Sequence, residues 1–143
     1  MAPLPDTPAE VLAWLRRFHD VHDSLQGKDF HKVYAETSQL TFGNYPTAEG
    51  LDAIKQLLLP SFAQLAYMKH IVRRADKVGD TIWCAQDIAY RVKDDPENEE
   101  IIIPAAGLLT LFMDGEDAGK VKRFDVFLDN APVRQKMEAV SKR

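Results

Sequence analysis

Met68-Lys69-His70-Ile71-Val72-Arg73-Arg74-Ala75-Asp76 is followed by Lys77-Val78-Gly79-Asp80 and then by Thr81-Ile82-Trp83-Cys84-Ala85-Gln86-Asp87-Ile88-Ala89-Tyr90-Arg91-Val92. β-Branched and aromatic residues fill both flanks, and the four residues between them have turn composition around a glycine. The stretch therefore predicts a long antiparallel hairpin. Side chains alternate between the faces of a strand, so the second arm separates into Ile82, Cys84, Gln86, Ile88, Tyr90 and Trp83, Ala85, Asp87, Ala89, Arg91. With the first set inward, Gln86 and Tyr90 supply polar groups to the interior and Asp87 pairs with Arg91 outside. With the second set inward, Asp87 becomes a buried base beside Trp83.

Downstream, the polar loop 93–100 leads to a strand over 101–113, where Pro104-Ala105-Ala106-Gly107 predicts a bulge because proline cannot donate to a ladder. The turn 114–119 precedes a last strand, 120–128, and Asn130-Ala131-Pro132 opens a short terminal helix. Upstream, Thr7-Pro8-Ala9-Glu10 is a capping box with proline at the first helical position. The stripe Val11, Leu12, Leu15, Phe18, Val21, Leu25 continues that helix until Gly27 stops it. A second helix is expected over 29–36, a strand over 38–42, and a third helix over 50–66, with Pro60 predicting a kink or an early break. Helices gathered before a run of sequential strands indicate an α+β fold: a curved antiparallel sheet covered by three N-terminal helices, with a short C-terminal helix.

The 143 residues suit one domain, 1–143, with 1–6 expected to be flexible. Apolar residues make up 45% and charged residues 28%, the balance of a folded globule. With 18 Lys and Arg against 22 Asp and Glu, the formal charge of −4 argues against a nucleic-acid surface. The basic runs Arg73-Arg74 and Lys120-Val121-Lys122-Arg123 fall on strands and read as solvated sheet face. A single cysteine, Cys84, excludes an internal disulfide and a cysteine-based zinc site. No apolar run reaches the length of a membrane span and the N-terminus lacks signal-peptide character, so a cytoplasmic protein is expected.

Three groups of residues, taken in order, resemble the SnoaL-like polyketide cyclase branch of the nuclear transport factor two superfamily. They are Phe42-Gly43-Asn44-Tyr45-Pro46 with Gly50 and Ala53-Ile54, His70 ahead of Gly79-Asp80, and Gly119-Lys120-Val121 leading into Arg123-Phe124-Asp125-Val126-Phe127-Leu128-Asp129. The resemblance implies a cone-shaped barrel whose open end admits a small apolar, polyketide- or terpenoid-like molecule. It also implies a homodimer joined through the sheets, and isomerase, cyclase or dehydratase chemistry needing no metal or other cofactor. In such a cavity desolvation strengthens a base and a preorganised donor stabilises oxyanion charge.

His70 stands where relatives carry a histidine, and its ordinary pKa suits proton transfer. Relatives place a catalytic acid on the last strand, which points to Asp125 and Asp129. Period-two counting puts Phe124, Val126 and Leu128 on the core side and Asp125 away from it, unless a bulge reverses the order. Asp87 is the other catalytic candidate. Asn44 and Tyr45 fall at the expected cavity mouth, Gln86 and Tyr90 offer polar contacts, and Trp14, Phe18, Tyr34, Met68 and Phe112 are expected walls. His19 and His22 can share a helix face with Asp23, but closed metal sites need more ligands than these give. The rival readings are a non-catalytic carrier of an apolar molecule and a protein-interaction or dimerisation module, which outward Trp83 and Phe127 would favour.

Overall fold

A computed structural model of the chain describes residues 4–142. Residues 1–3 of the stretch expected to be flexible lie outside the described residues; within the remainder Pro5 is buried. The capping box forms as read: Thr7 Oγ1 accepts from Glu10 N–H at 3.2 Å and Glu10 Oε1 accepts from Thr7 N–H at 2.9 Å. It starts helix α1, Pro8–Asp23, which buries Val11, Trp14, Leu15, Phe18, His19 and His22 along one stripe. The expected second helix is only a 3-10 turn, Phe30–Lys32, because Tyr34 already belongs to strand β1, Tyr34–Phe42. Tyr34 pairs with Val121, and Val121 N–H donates to Val33 O at 2.8 Å. A sheet partner thus outweighs weak local helix propensity in β-branched and aromatic residues.

After the two-residue strand β2, Ala48–Glu49, helix α2 runs over Leu51–Phe62 and stops four residues short of the expected end. Pro60 falls in its last turn, where a missing N–H forfeits one bond and the chain then leaves the helix. The hairpin is present as strands β3, Leu65–Val78, and β4, Thr81–Val92. Strand β5, Ile101–Leu111, and strand β6, Val121–Leu128, complete the sheet, and helix α3, Ala131–Ser141, follows. The sheet has six strands in the order β2-β1-β6-β5-β4-β3 and is mixed: β3 to β6 are antiparallel neighbours, while β1 lies parallel to β6.

No bulge occurs at Pro104, since the pairing of β4 with β5 is continuous from Tyr90↔Ile101 to Thr81↔Thr110. Pro104 lies just beyond Ala105, the first β5 residue paired to β6, so the edge on that side asks no donor of it. The register instead shifts in β3 between Val72 and Arg74. Gly107 serves close packing: a Cβ there would meet Cys84 Sγ at 3.0 Å and Phe124 Cε1 at 3.2 Å. One cluster of apolar side chains runs from α1 and α2 across the inner face of the sheet. The structure is thus the α+β arrangement expected, an open cone with helices on one face. Among the described residues no helix is long and apolar enough to cross a membrane.

Candidate active site

A cavity of about 770 Å³ lies between the inner sheet face and the three helices. Its volume is in the range that takes a drug-sized molecule. Phe18, Leu40, Leu57, Phe62, Leu65, Met68, Ile88 and Phe124 supply apolar wall, while His19, His22, His70, Gln86 and Tyr90 bring polar atoms into it. The first alternation set of β4 is therefore the inward one: Ile82, Cys84, Gln86, Ile88 and Tyr90 are all buried.

His70, on β3, meets the end of α1. Its Nδ1 is 2.5 Å from Asp23 Oδ1, and its backbone N–H donates to Asp23 Oδ2 at 3.0 Å. Both side chains are 11% exposed, so the pair is largely withdrawn from water. A carboxylate only accepts, which puts a proton on Nδ1 and leaves Nε2, with no partner among the described residues, to take or give the second proton. The His19 ring stacks on that of His70 with centroids 4.3 Å apart and planes 5° from parallel. Burial holds the His19 pKa well below the ordinary histidine value, the neighbouring His70 and His22 push it the same way, and the Gln86 amide opposes in part. Two stacked imidazoles cannot both be cationic cheaply, which agrees with the lowered pKa of His19.

His22 is fixed on both sides. Its Nδ1–H donates to Phe18 O at 2.8 Å and its Nε2 accepts from the Tyr34 hydroxyl at 2.8 Å. Burial lowers its pKa to about 4, against the favourable Phe18 carbonyl, and burial also raises the Tyr34 phenol well above its usual value. Tyr90 is raised as well, by burial first and by Asp23 second. Two buried nitrogens, His19 Nε2 and Gln86 Nε2, have no hydrogen-bond partner among the described residues.

The other expected residues are dispersed. Asp87 is on the outer face with Arg73 Nε at 3.6 Å, and Arg91 bonds Glu100 instead, so the expected Asp87–Arg91 pair is corrected. Asp125 is also on the outer face, held by Arg123 Nε at 3.1 Å. Pairing of β6 with β5 is continuous from Arg123 to Leu128, so nothing reverses the period-two count, and neither carboxylate lines the cavity. Tyr45 and Asp129 line its mouth, whereas Asn44 is exposed and outside it. Trp14 and Tyr34 are buried behind the wall, Trp14 Nε1–H donating to Gly119 O at 2.8 Å, and Phe112 also stands outside the cavity. No group of three or more His, Cys, Asp or Glu among the described residues is arranged to hold a metal ion.

Sequence reasoning missed Asp23 as the partner of His70, and it missed α3 as a wall. One signal for Asp23 was available: it is the last residue of α1, where the helix dipole disfavours an anion, so a compensating partner is needed. From α3, Val133, Arg134, Met137, Glu138 and Ser141 close one side of the mouth, with the Arg134 guanidinium 5.5 Å from the Tyr45 ring centroid.

No protein-family model matches the chain, and no curated protein sequence matches it significantly. Solved structures do share its architecture. A SnoaL-like protein of the polyketide-cyclase type from Jannaschia sp. CCS1 superposes with a TM-score of 0.73 at 15% identity, covering 97% of this chain and 96% of that one. A protein with a ketosteroid isomerase-like fold from Catenulispora acidiphila DSM 44928, in complex with trimethylamine, gives 0.70 at 12% identity over 87% and 92%. TerC, co-crystallised with polyporic acid, gives 0.68 at 13% identity over 89% and 97%. The chain has the SnoaL-like, nuclear transport factor two-like fold.

Proposed function

We propose that the protein is a cofactor-independent acid–base enzyme, an isomerase, cyclase or dehydratase of polyketide- or terpenoid-type metabolism in the cytoplasm. The observation that carries this reading is the His70–Asp23 pair at the wall of a largely apolar cavity. His70 Nε2 takes a proton from the carbon beside a substrate carbonyl, the C–H bond breaks, and its electron pair moves into an enolate. Asp23 stabilises the imidazolium so formed. The proton then returns at another carbon, or to the oxygen created when the enolate attacks a second carbonyl. General acid–base catalysis by such a positioned group contributes about 10²–10⁴-fold.

The test is deuterium exchange at the α-carbon of a bicyclic ketone such as 2-tetralone in D2O, followed by NMR. Wild-type protein is expected to accelerate exchange, with loss in His70→Gln and a reduced rate in Asp23→Asn. Exchange no faster than buffer in the wild type defeats the proton-transfer reading and leaves a carrier of apolar molecules. We also infer that a second copy of the chain covers the outer sheet face, where Trp83 and Phe127 are 51% and 55% exposed. Light scattering expects a dimer that Trp83→Lys weakens; a monomeric wild type overturns this.

A further inference from the structure

Among the described residues that line the cavity, Arg134 is the only lysine or arginine, and it stands at the mouth. Its guanidinium lies over the Tyr45 ring, 5.5 Å from the centroid. The two carboxylates of the mouth are engaged elsewhere. Glu138, the i+4 neighbour and the ordinary partner for such a side chain, accepts from Lys142 Nζ at 3.0 Å, and Asp129 Oδ1 accepts from Ala131 N–H at 3.0 Å. A guanidinium over an aromatic face keeps its fork of N–H groups for other acceptors. Arg134 therefore presents a cation and several donors to whatever occupies the mouth.

The support under that cation is firm on both sides. Lys136, two residues on and so on a different face of α3, has its Nζ 3.0 Å from carboxylate oxygens of Glu97 and Glu99 and 3.5 Å from one of Asp95, whose side chain is fully enclosed. Val133 is buried against the core. Tyr45 in turn packs on Phe42, with ring centroids 6.1 Å apart. A helix pinned to the 93–100 loop and a ring pinned to β1 hold the guanidinium between them, so little ordering is left to be done on binding.

We propose that Arg134 receives a carboxylate of the ligand, which makes the substrate class a ring ketone bearing an acid group. The interior, walled by Phe18, Phe62 and Phe124, offers an ionised group no counter-charge, and burying one unpaired is costly. The mouth offers the planar fork that matches a carboxylate with two parallel hydrogen bonds. One positive charge suits one negative charge, whereas a doubly charged phosphate would also face Asp129 and Glu138. The acid thus sets the direction of entry, rings first and carboxylate last, and turns the ketone end toward His70. The assignment deepens the acid–base reading and rests on it for the ketone; the acid subsite itself needs only that the cavity holds a ligand.

The test compares 2-naphthylacetate with 2-naphthylacetamide, its uncharged counterpart of nearly the same shape, by titration calorimetry at pH 8. Wild-type protein is expected to bind the acid about five- to tenfold more tightly, the scale of a charge-assisted pair at a wet rim. Arg134 is exposed, so Arg134→Gln leaves the core intact; it is expected to cut the preference to about twofold or less while the amide binds as before. 2-Naphthyl phosphate should bind no more tightly than the acid, and a tenfold advantage for it overturns the carboxylate assignment. His70→Gln is expected to lose ketone exchange and keep the preference for the acid. A wild type that shows the preference without any ketone exchange defeats the acid–base reading and leaves the subsite standing. Equal affinity of acid and amide for the wild type, or no binding of either, overturns the subsite. A preference that survives Arg134→Gln and vanishes in His70→Gln overturns it equally, because the acid then sits against the imidazole.

Discussion

Acid should weaken this protein through His22 in a window its surroundings define. In the native structure the ring is fully enclosed, packed against Phe18 and Phe30, and its two nitrogens are occupied by the Phe18 carbonyl and the Tyr34 hydroxyl. Burial brings its pKa down from 6.5 to about 4, with His70 pushing the same way and Asp23 and the Phe18 carbonyl opposing. Between those values the unfolded chain holds a proton that the native chain refuses. Stability is therefore complete above pH 6.5, falls as the pH drops through the window, and stops falling on this account near pH 4. At about 1.4 kcal/mol per unit, the two and a half units amount to about 3 kcal/mol. That is a large share of the roughly 5–15 kcal/mol typical of a domain. The assay is urea unfolding of wild type and His22→Gln at pH 7 and pH 4. Carboxylates and His19 contribute to both proteins and cancel in the comparison. Wild type should lose about 3 kcal/mol more than the variant across the interval. Equal losses, or an excess wild-type loss confined to pH above 6.5, would refute the reasoning.

Gly107→Ala places a methyl group against Cys84 Sγ and Phe124 Cε1, so a destabilisation of about 1–3 kcal/mol is expected in chemical denaturation. Adding Cys84→Ala should recover part of it; a neutral single variant would contradict the close packing. Burial pushes the Cys84 thiol up to about 11, and the side chain is enclosed. Iodoacetamide at pH 8 should modify it more than about a hundredfold more slowly than a free thiol, and alkylation at the free rate would show the site to be open. Asp87→Asn and Asp125→Asn each break an outer-face ion pair worth about 1 kcal/mol or less. Ketone exchange should change less than about twofold in either, and a drop of tenfold or more would return that carboxylate to the chemistry.

Local signals carried the fold a long way. The hairpin at Gly79, the capping box at Thr7 and the division of the second arm into two alternating sets are properties of short windows, and the structure has them as read; the windows do not decide which set faces inward, and the fold turns the set ending at Tyr90 to the core. What failed was long-range. Whether residues 34–36 join a helix or a strand depends on Val121, more than eighty residues away, and so does the parallel pairing of β1 with β6. The same separation hid the site. His70 was a candidate by its position in the resemblance, but its contact with Asp23 of α1 joins residues that no short window holds together. The carboxylates that sequence order favoured, Asp87 and Asp125, obey the alternation that sends them outside. Pro104 misled because the rule against proline in a ladder holds only where a strand neighbours it on the donor side.

The terminal helix has a further consequence. The groups suited to moving protons stand on α1 and β3, whereas Arg134, Met137, Glu138 and Ser141 stand on α3, which follows β6 in the chain through Asp129 and Asn130 and packs back on the cavity mouth. Exchanging side chains along one face of that segment reshapes the doorway and leaves the interior untouched. On the proposed function, selectivity and reactivity are therefore written in separate parts of the fold, and altering residues 131–141 would re-address it to a different guest.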